Sequence, residues 1–301
     1  QSSNFADRLA TFATGRRSQV CRGLDPDLSA EPWSSAPELG FASGSGSKPT
    51  HEDLGAAVAT TAERLIDAAA EACVALKPQL ARFEALGAPG WAALERVVAA
   101  AAEAGLLVIA DGKRGDVPVS AGPYADAIVG STPTPWGPIE GLGADAMTVN
   151  PLMGRDSLQP VVARAVAAGA GAFVLVRTSN PGAADLLDLD AGGTPVHEHL
   201  AGMVDGLGAE LVGSCGLSGL GAVVGATRPG FLERLRELMP RAIFLLPGVG
   251  AQGGKASALG AAFSPGPAAG IVTASRSIVG AADPGAAAEA LRTEVWAAAD
   301  R

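Results

Sequence analysis

Residues 106–120 read LLVIADGKRGDVPVS, an unbroken apolar run that stops abruptly at Asp111, Lys113 and Asp116, just before Pro118. A run that is apolar at successive rather than alternate positions marks a strand covered on both faces, as in a parallel sheet flanked by helices. Side chains alternate along a strand, so Asp111 and Lys113 share one face if the strand extends that far. The segment therefore reads as a buried strand with a charged C-terminal end.

Working outward, similar runs recur along the chain. The eight expected strands are Val20–Asp25, Cys73–Lys77, Leu106–Asp111, Ala146–Val149, Ala172–Arg177, Ala222–Gly225, Ala242–Leu246 and Gly270–Thr273. Stretches with helical spacing, many of them Ala-rich, lie between them, among them Asp53–Ala72, Gly90–Ala104 and Pro229–Met239. Strand and helix in regular alternation predict a parallel α/β fold, and eight repeats predict a closed (β/α)8 TIM barrel. The chain has 301 residues, which suits a single barrel domain of roughly 250 residues with insertions. An open doubly wound sheet would place a Gly-rich turn after its first strand, whereas Leu24-Asp25-Pro26-Asp27 stands there. Residues 29–50, rich in Ser, Gly and Pro, read as a flexible insert, and Ser131–Leu142 as an irregular passage over the rim before the fourth strand.

Composition narrows the function. Hydrophobic residues make up 48% of the chain and aromatic ones only 4%, which suits small-faced helices packed on buried strands. A net charge of −9 with scattered basic residues argues against a nucleic-acid or anionic-membrane partner, so an anionic ligand would need a local site. Cys21, Cys73 and Cys215 are far apart, as expected of buried thiols in a reducing compartment such as the cytoplasm. No run approaches the ~20 apolar residues of a membrane span, and QSSNFADRLA has no basic-then-apolar export pattern; a soluble, unexported protein is expected.

In a TIM barrel the C-terminal strand ends face the active-site mouth. A lysine held between carboxylates stays protonated there and can deliver a proton to a developing carbanion, although an ordinary ion-paired strand end has the same bare pattern. The small residues of Pro247–Gly254 leave backbone N–H groups free, barrel enzymes often bind phosphate after strands seven and eight, and Arg276 follows the eighth strand.

With its apolar lead, DGKRGDV (111–117) resembles the D-x-K-x-x-D signature of orotidine 5′-phosphate decarboxylases. Other segments resemble that family in the same order, from about Val20 to Gly280. Asp25 in LDP is similar to its first-strand ribose contact, and Lys77 in ALKPQ to its second-strand lysine. Ser179 in RTSNPGA resembles its pyrimidine ligand, and Gln252 in PGVGAQGG and Arg276 in TASRSIVGA resemble its phosphate ligands. TVNPLMGRDSL with RTSNPGA resembles the longer bacterial subfamily. Ser120 stands where many relatives carry Thr, and the 29–50 insert matches no family motif.

The resemblance implies decarboxylation of orotidine 5′-phosphate to UMP and CO2 without metal or organic cofactor. Lys113 would stabilise and protonate the carbanion, Asp111 would sit near the substrate carboxylate, and Lys77 would join their hydrogen-bond network. The resemblance also implies a homodimer in which Asp116 and Ser120 reach into the partner's site. Two alternatives remain: a magnesium-dependent sugar-phosphate decarboxylase or aldolase of the same superfamily, and a non-catalytic nucleotide-binding barrel.

Other residues carry blander readings. His197-Glu198-His199 reads as a solvated helix start and His51 as a surface residue. Trp33, Trp91, Trp136 and Trp296 read as packing residues, and Asp145 and Asn150 as caps around the fourth strand.

Overall fold

The computed structural model describes residues 4–35, 48–250 and 253–300. Eight parallel strands close into a barrel: β1 (Val20–Leu24), β2 (Ala75–Pro78), β3 (Leu107–Arg114), β4 (Ala146–Val149), β5 (Gly171–Arg177), β6 (Ser218–Val224), β7 (Ala242–Pro247) and β8 (Gly270–Ala274). β1 pairs with both β2 and β8, with Val20 opposite Val272 and Cys21 opposite Ala75. Helices His51–Ala69, Ala88–Glu103, Pro118–Ile128, Arg155–Ala168, Val196–Gly208, Leu232–Leu238 and Pro284–Ala299 follow strands β1 to β6 and β8.

The seventh unit departs from a strict (β/α)8 repeat. Among the described residues, three 3-10 turns, Ala256–Ala258, Gly260–Phe263 and Pro267–Ala269, replace its helix. Arg236 holds the last two in place: its guanidinium donates to the carbonyl oxygens of Met239, Ala242, Ala262 and Ala269 and stacks 3.8 Å from the Phe244 ring centroid.

Strand alternation divides the apolar residues into two layers. Cys21, Ala75, Leu107, Ile109, Ala146, Phe173, Val223, Ile243, Leu245 and Ile271 fill the barrel, while Val20, Leu76, Val108, Met147, Val174, Phe244 and Val272 face the helices. The N-terminal helix Phe5–Arg16, absent from the expected elements, closes the bottom of the barrel. Its Phe5 packs edge-on against Phe173 at 5.8 Å, its Arg8 pairs with Asp145, and its Arg16 donates to the carbonyl oxygens of Cys73 and Gly105.

Most strands lie within a residue or two of expectation, and β6 and β3 differ most. β6 begins four residues early, in a stretch whose two glycines suggest a break. Gly221 is required by close approach, because a Cβ there would lie 2.4 Å from the Ile243 carbonyl oxygen and 2.7 Å from the Phe173 ring. β3 continues through Asp111 and Lys113 to Arg114. The first outer helix starts at His51 because Thr50 and Asp53 form a reciprocal capping box.

The expected insert is described at its two ends, 29–35 and 48–50. Residues 29–35 form turns, with Trp33 only 3% exposed in the outer core; residues 36–47 lie outside the described set. Ser131–Thr132 and Ile139–Glu140 pair as a short antiparallel ribbon before β4. Trp136, between them, is 92% exposed, so it is not a packing residue. Cys21 and Cys73 are buried, and burial pushes both thiols up, Cys73 to about 12; Cys215, against expectation, is exposed. Among the described residues no helix is long and apolar enough to cross a membrane.

Candidate active site

A cavity of about 560 Å³ opens at the C-terminal ends of the strands. On the inner face of β3, Leu107 and Ile109 lie in the barrel interior and Asp111 and Lys113 continue the same alternation into the cavity. Asp111 is 5% exposed and accepts hydrogen bonds at both oxygens. Lys77 Nζ, from β2, donates to Oδ2 at 2.5 Å, with Gln79 Nε2 at 3.4 Å from the same oxygen. Lys113 Nζ donates to Oδ1 at 2.6 Å and the Thr148 hydroxyl to the same oxygen at 2.8 Å. The Thr148 oxygen in turn accepts from the backbone N–H of Lys113 at 2.9 Å.

That bond fixes an uncommon backbone. Lys113 has φ 46°, one of two non-glycine residues at positive φ among those described. A left-handed non-glycine residue costs roughly 1–2 kcal/mol, and such strain concentrates at functional sites. Thr148 was not anticipated because a threonine in AMTVN reads as an ordinary β-former; its even spacing from inward-facing Ala146 was the available signal.

The charges support one another. Burial alone would raise the Asp111 pKa, but the ammonium groups of Lys77 and Lys113 outweigh it and bring the carboxyl to about 2. For Lys77, burial opposes the charge, but Asp111 and then Asp25 overcome it and hold its pKa above the ordinary lysine value. Because the folded pKa of Asp111 lies below the unfolded one, its stabilising contribution is complete above about pH 4 and lost as pH falls toward 2, a change of about 2 kcal/mol. Urea unfolding at pH 5 and pH 2.5 is expected to show most of this extra loss in wild type and none of it in Asp111→Asn. Equal acid sensitivity of the two proteins would contradict the assignment.

The rest of the cavity is differentiated. Leu175, Val223 and Leu245 form an apolar floor, Thr178, Ser179 and Asn180 stand beside it after β5, and Gly248, Val249, Ser275, Arg276 and Ser277 line the β7–β8 side. Asp25 lines the β1 side. Three cationic and two anionic side chains thus face a cavity in a chain of net charge −9. This local reversal of charge suits an anionic ligand.

Of the nine expected site residues, Asp25, Lys77, Asp111, Lys113, Ser179 and Arg276 line this one cavity. Gln252 lies outside the described residues. Asp116 and Ser120 are not part of the lining: Asp116 caps the N–H of its neighbour Val117 at 2.7 Å and borders a separate small recess with Tyr124 and Asn150. Asp145 lies at the opposite end of the barrel, accepting from Val108 N–H, and Asn150 accepts from Leu152 N–H in a local turn. His197 is buried rather than solvated and bonds the Leu187 carbonyl, Glu198 pairs with Arg234, and His199 contacts the Ala191 carbonyl.

Comparison with known proteins agrees with this geometry. Residues 18–291 match the model of the orotidine 5′-phosphate decarboxylase / HUMPS family. The chain is 41% identical over 278 residues to the orotidine 5′-phosphate decarboxylase of Rhodopirellula baltica, covering 91% of this chain and 88% of that one. It is 39% identical to the Deinococcus radiodurans enzyme of the same name, with 95% and 93% covered. The solved OMP decarboxylase of Leishmania donovani aligns with a TM-score of 0.76 at 33% identity, covering 99% of this chain and 100% of that one. The UMP synthase of the same organism aligns at 0.77 and 35% identity, and this chain spans 57% of its length. The closed barrel, the cavity at its C-terminal mouth and these matches together establish that the chain belongs to the orotidine 5′-phosphate decarboxylase family.

Proposed function

We propose that the chain converts orotidine 5′-phosphate to UMP and CO2. The observation that carries this reading is Lys113 Nζ, 2.6 Å from a doubly paired Asp111 and still half-exposed to the cavity. With the phosphate at Arg276 and the N–H groups of the β7 loop, and the pyrimidine beside Ser179, the orotate carboxylate faces the Lys77–Asp111–Lys113 array. Asp25 binds the ribose, and Gln252 is assigned as a further phosphate ligand on the family resemblance alone.

The C6–carboxylate bond then breaks heterolytically, CO2 leaves, and the electron pair stays on C6. The Lys113 ammonium stabilises that pair in a water-poor pocket and transfers a proton to C6, and the resulting amine regains its proton from solvent. Asp111, close to the departing carboxylate, repels it before bond cleavage and not after.

The matched family also includes HUMPS proteins, and the sister reading is a magnesium-dependent reaction on a sugar phosphate. It is disfavoured because both Asp111 oxygens already accept from ammonium or hydroxyl donors, an arrangement that competes with coordination of a metal ion. Chelator-treated protein is expected to form UMP from orotidine 5′-phosphate at the untreated rate. Loss of turnover that magnesium restores would favour the sister reaction.

The working unit is a homodimer, located in the cytoplasm. Asp116 and Ser120 lie outside their own cavity, and the segment that carries them exposes Val117, Val119 and Tyr124, with Leu152 and Met153 also exposed on the loop after β4. An apolar surface of this kind fits a two-fold partner that receives Asp116 and Ser120. Lys113→Ala and Asp116→Ala proteins, each inactive alone, should therefore recover roughly a quarter of wild-type activity when mixed with verified subunit exchange, since about half the dimers are mixed and each has one intact site. Activity unchanged by mixing would contradict the shared site.

A further inference from the structure

Behind the β5 side of the cavity is a polar cluster to which the proposed chemistry gives no role. Arg177, the last residue of β5, is 4% exposed, and its guanidinium has three sets of contacts. Nε and Nη2 donate to the two oxygens of Asp188 at 2.7 and 2.9 Å. Nη1 donates to the carbonyl of Thr178 at 2.7 Å, and the group stacks 5.1 Å from the Phe231 ring centroid. His197 supports the same cluster: its Nδ1 lies 2.7 Å from the Leu187 carbonyl oxygen and 3.4 Å from Asp188 Oδ1, and its ring meets Phe231 edge-on at 5.1 Å.

Thr178 and Asp188 bound the loop that contains Ser179. One guanidinium therefore ties the start of that loop to its end. Ser179 is also held from below. The Thr227 hydroxyl lies 3.4 Å from its carbonyl oxygen, and a Cβ at Gly225 would sit 2.7 Å from the Ser179 Cα, so only glycine lets the loop rest there.

We infer that Arg177 and Asp188 are positioning residues: their bidentate pair fixes the Thr178–Asp188 loop so that Ser179 is preset to read the base, and it acts on base recognition, not on phosphate binding. The inference rests on the reading of Ser179 as the pyrimidine ligand. Arginine suits the task because its planar fork engages both carboxylate oxygens, the carbonyl and the aromatic face together, which a lysine cannot do. An unfixed loop must be ordered each time a nucleotide binds, and that cost falls on ligands that contact it.

The test compares UMP, which has a base, with ribose 5-phosphate, which has none. Asp188→Ala is expected to weaken UMP binding by about tenfold and leave ribose 5-phosphate within about twofold. Made in a Ser179→Ala background, the same change should cost UMP less than about twofold, because the loop then has no side chain to present. Asp188→Asn keeps one acceptor for the guanidinium, is expected to weaken UMP by about threefold, and serves in place of the alanine variant should that fail to fold. Equal weakening of both ligands, no effect on either, or full additivity with Ser179→Ala would overturn the positioning role. A Ser179→Ala protein that binds UMP as wild type does would instead overturn the base-recognition reading.

Discussion

Lys113→Ala is expected to lower kcat for orotidine 5′-phosphate by at least about 10⁴-fold while UMP affinity changes by less than about tenfold. The lower bound combines about 10² for a lost preorganised charge with about 10² for a lost proton donor. Affinity is largely spared because the ammonium acts on charge that exists only as the C6–carboxylate bond breaks. The folded array tolerates the change, since Asp111 keeps Lys77 at 2.5 Å and Thr148 at 2.8 Å and no buried charge is left without a partner. Steady-state kinetics with UMP inhibition separates the two quantities. A loss of affinity with kcat unchanged would mean that Lys113 binds substrate and does not act on the reaction.

The second large effect concerns a residue remote from the reacting carbon. Arg276→Ala is expected to reduce kcat/KM for orotidine 5′-phosphate by about 10³-fold, the scale of two charge-assisted hydrogen bonds, and to leave the slow turnover of orotidine within about threefold. Arg276 lines the cavity beside Ser275, Ser277 and the Gly248–Val249 turn, away from the Asp111 cluster. Its contribution should therefore follow the phosphate. Added phosphite should raise orotidine turnover in wild type and fail to do so in the variant, because binding at the remote anion site is coupled to ordering of the site. A similar loss with both substrates would make Arg276 structural.

The parts of this molecule legible in its sequence are those where one physical pattern dominates. The barrel strands are apolar on both faces and stand out as short runs, and β4 has the bounds its sequence predicts, Ala146–Val149. The Asp111–Lys113 pair was legible because strand alternation alone places both on one face. Features requiring partners distant in sequence were not. Thr148 matters through Asp111 and Lys113, more than thirty residues away, and Asp188 caps the short helix Ala184–Leu187, where its tie to Arg177 has no periodic signature. His197 looked like one member of a polar triplet, but its ring is packed under Phe231. The two glycines that concealed the start of β6 are explained at Gly221 by Phe173 of the neighbouring strand, a fact of packing and not of local propensity.

The carboxylate–ammonium array in this cavity is expected to remove the orotate carboxyl group. Release of labelled CO2 from carboxyl-labelled orotidine 5′-phosphate, with protein in excess over substrate, tests it most directly. Wild-type protein should release one equivalent of CO2 and form one of UMP in a single turnover, and Lys113→Ala protein, with nucleotide bound, should release essentially none in the same time. Bound substrate that keeps its label in wild type, or equal release by the variant, would contradict the account.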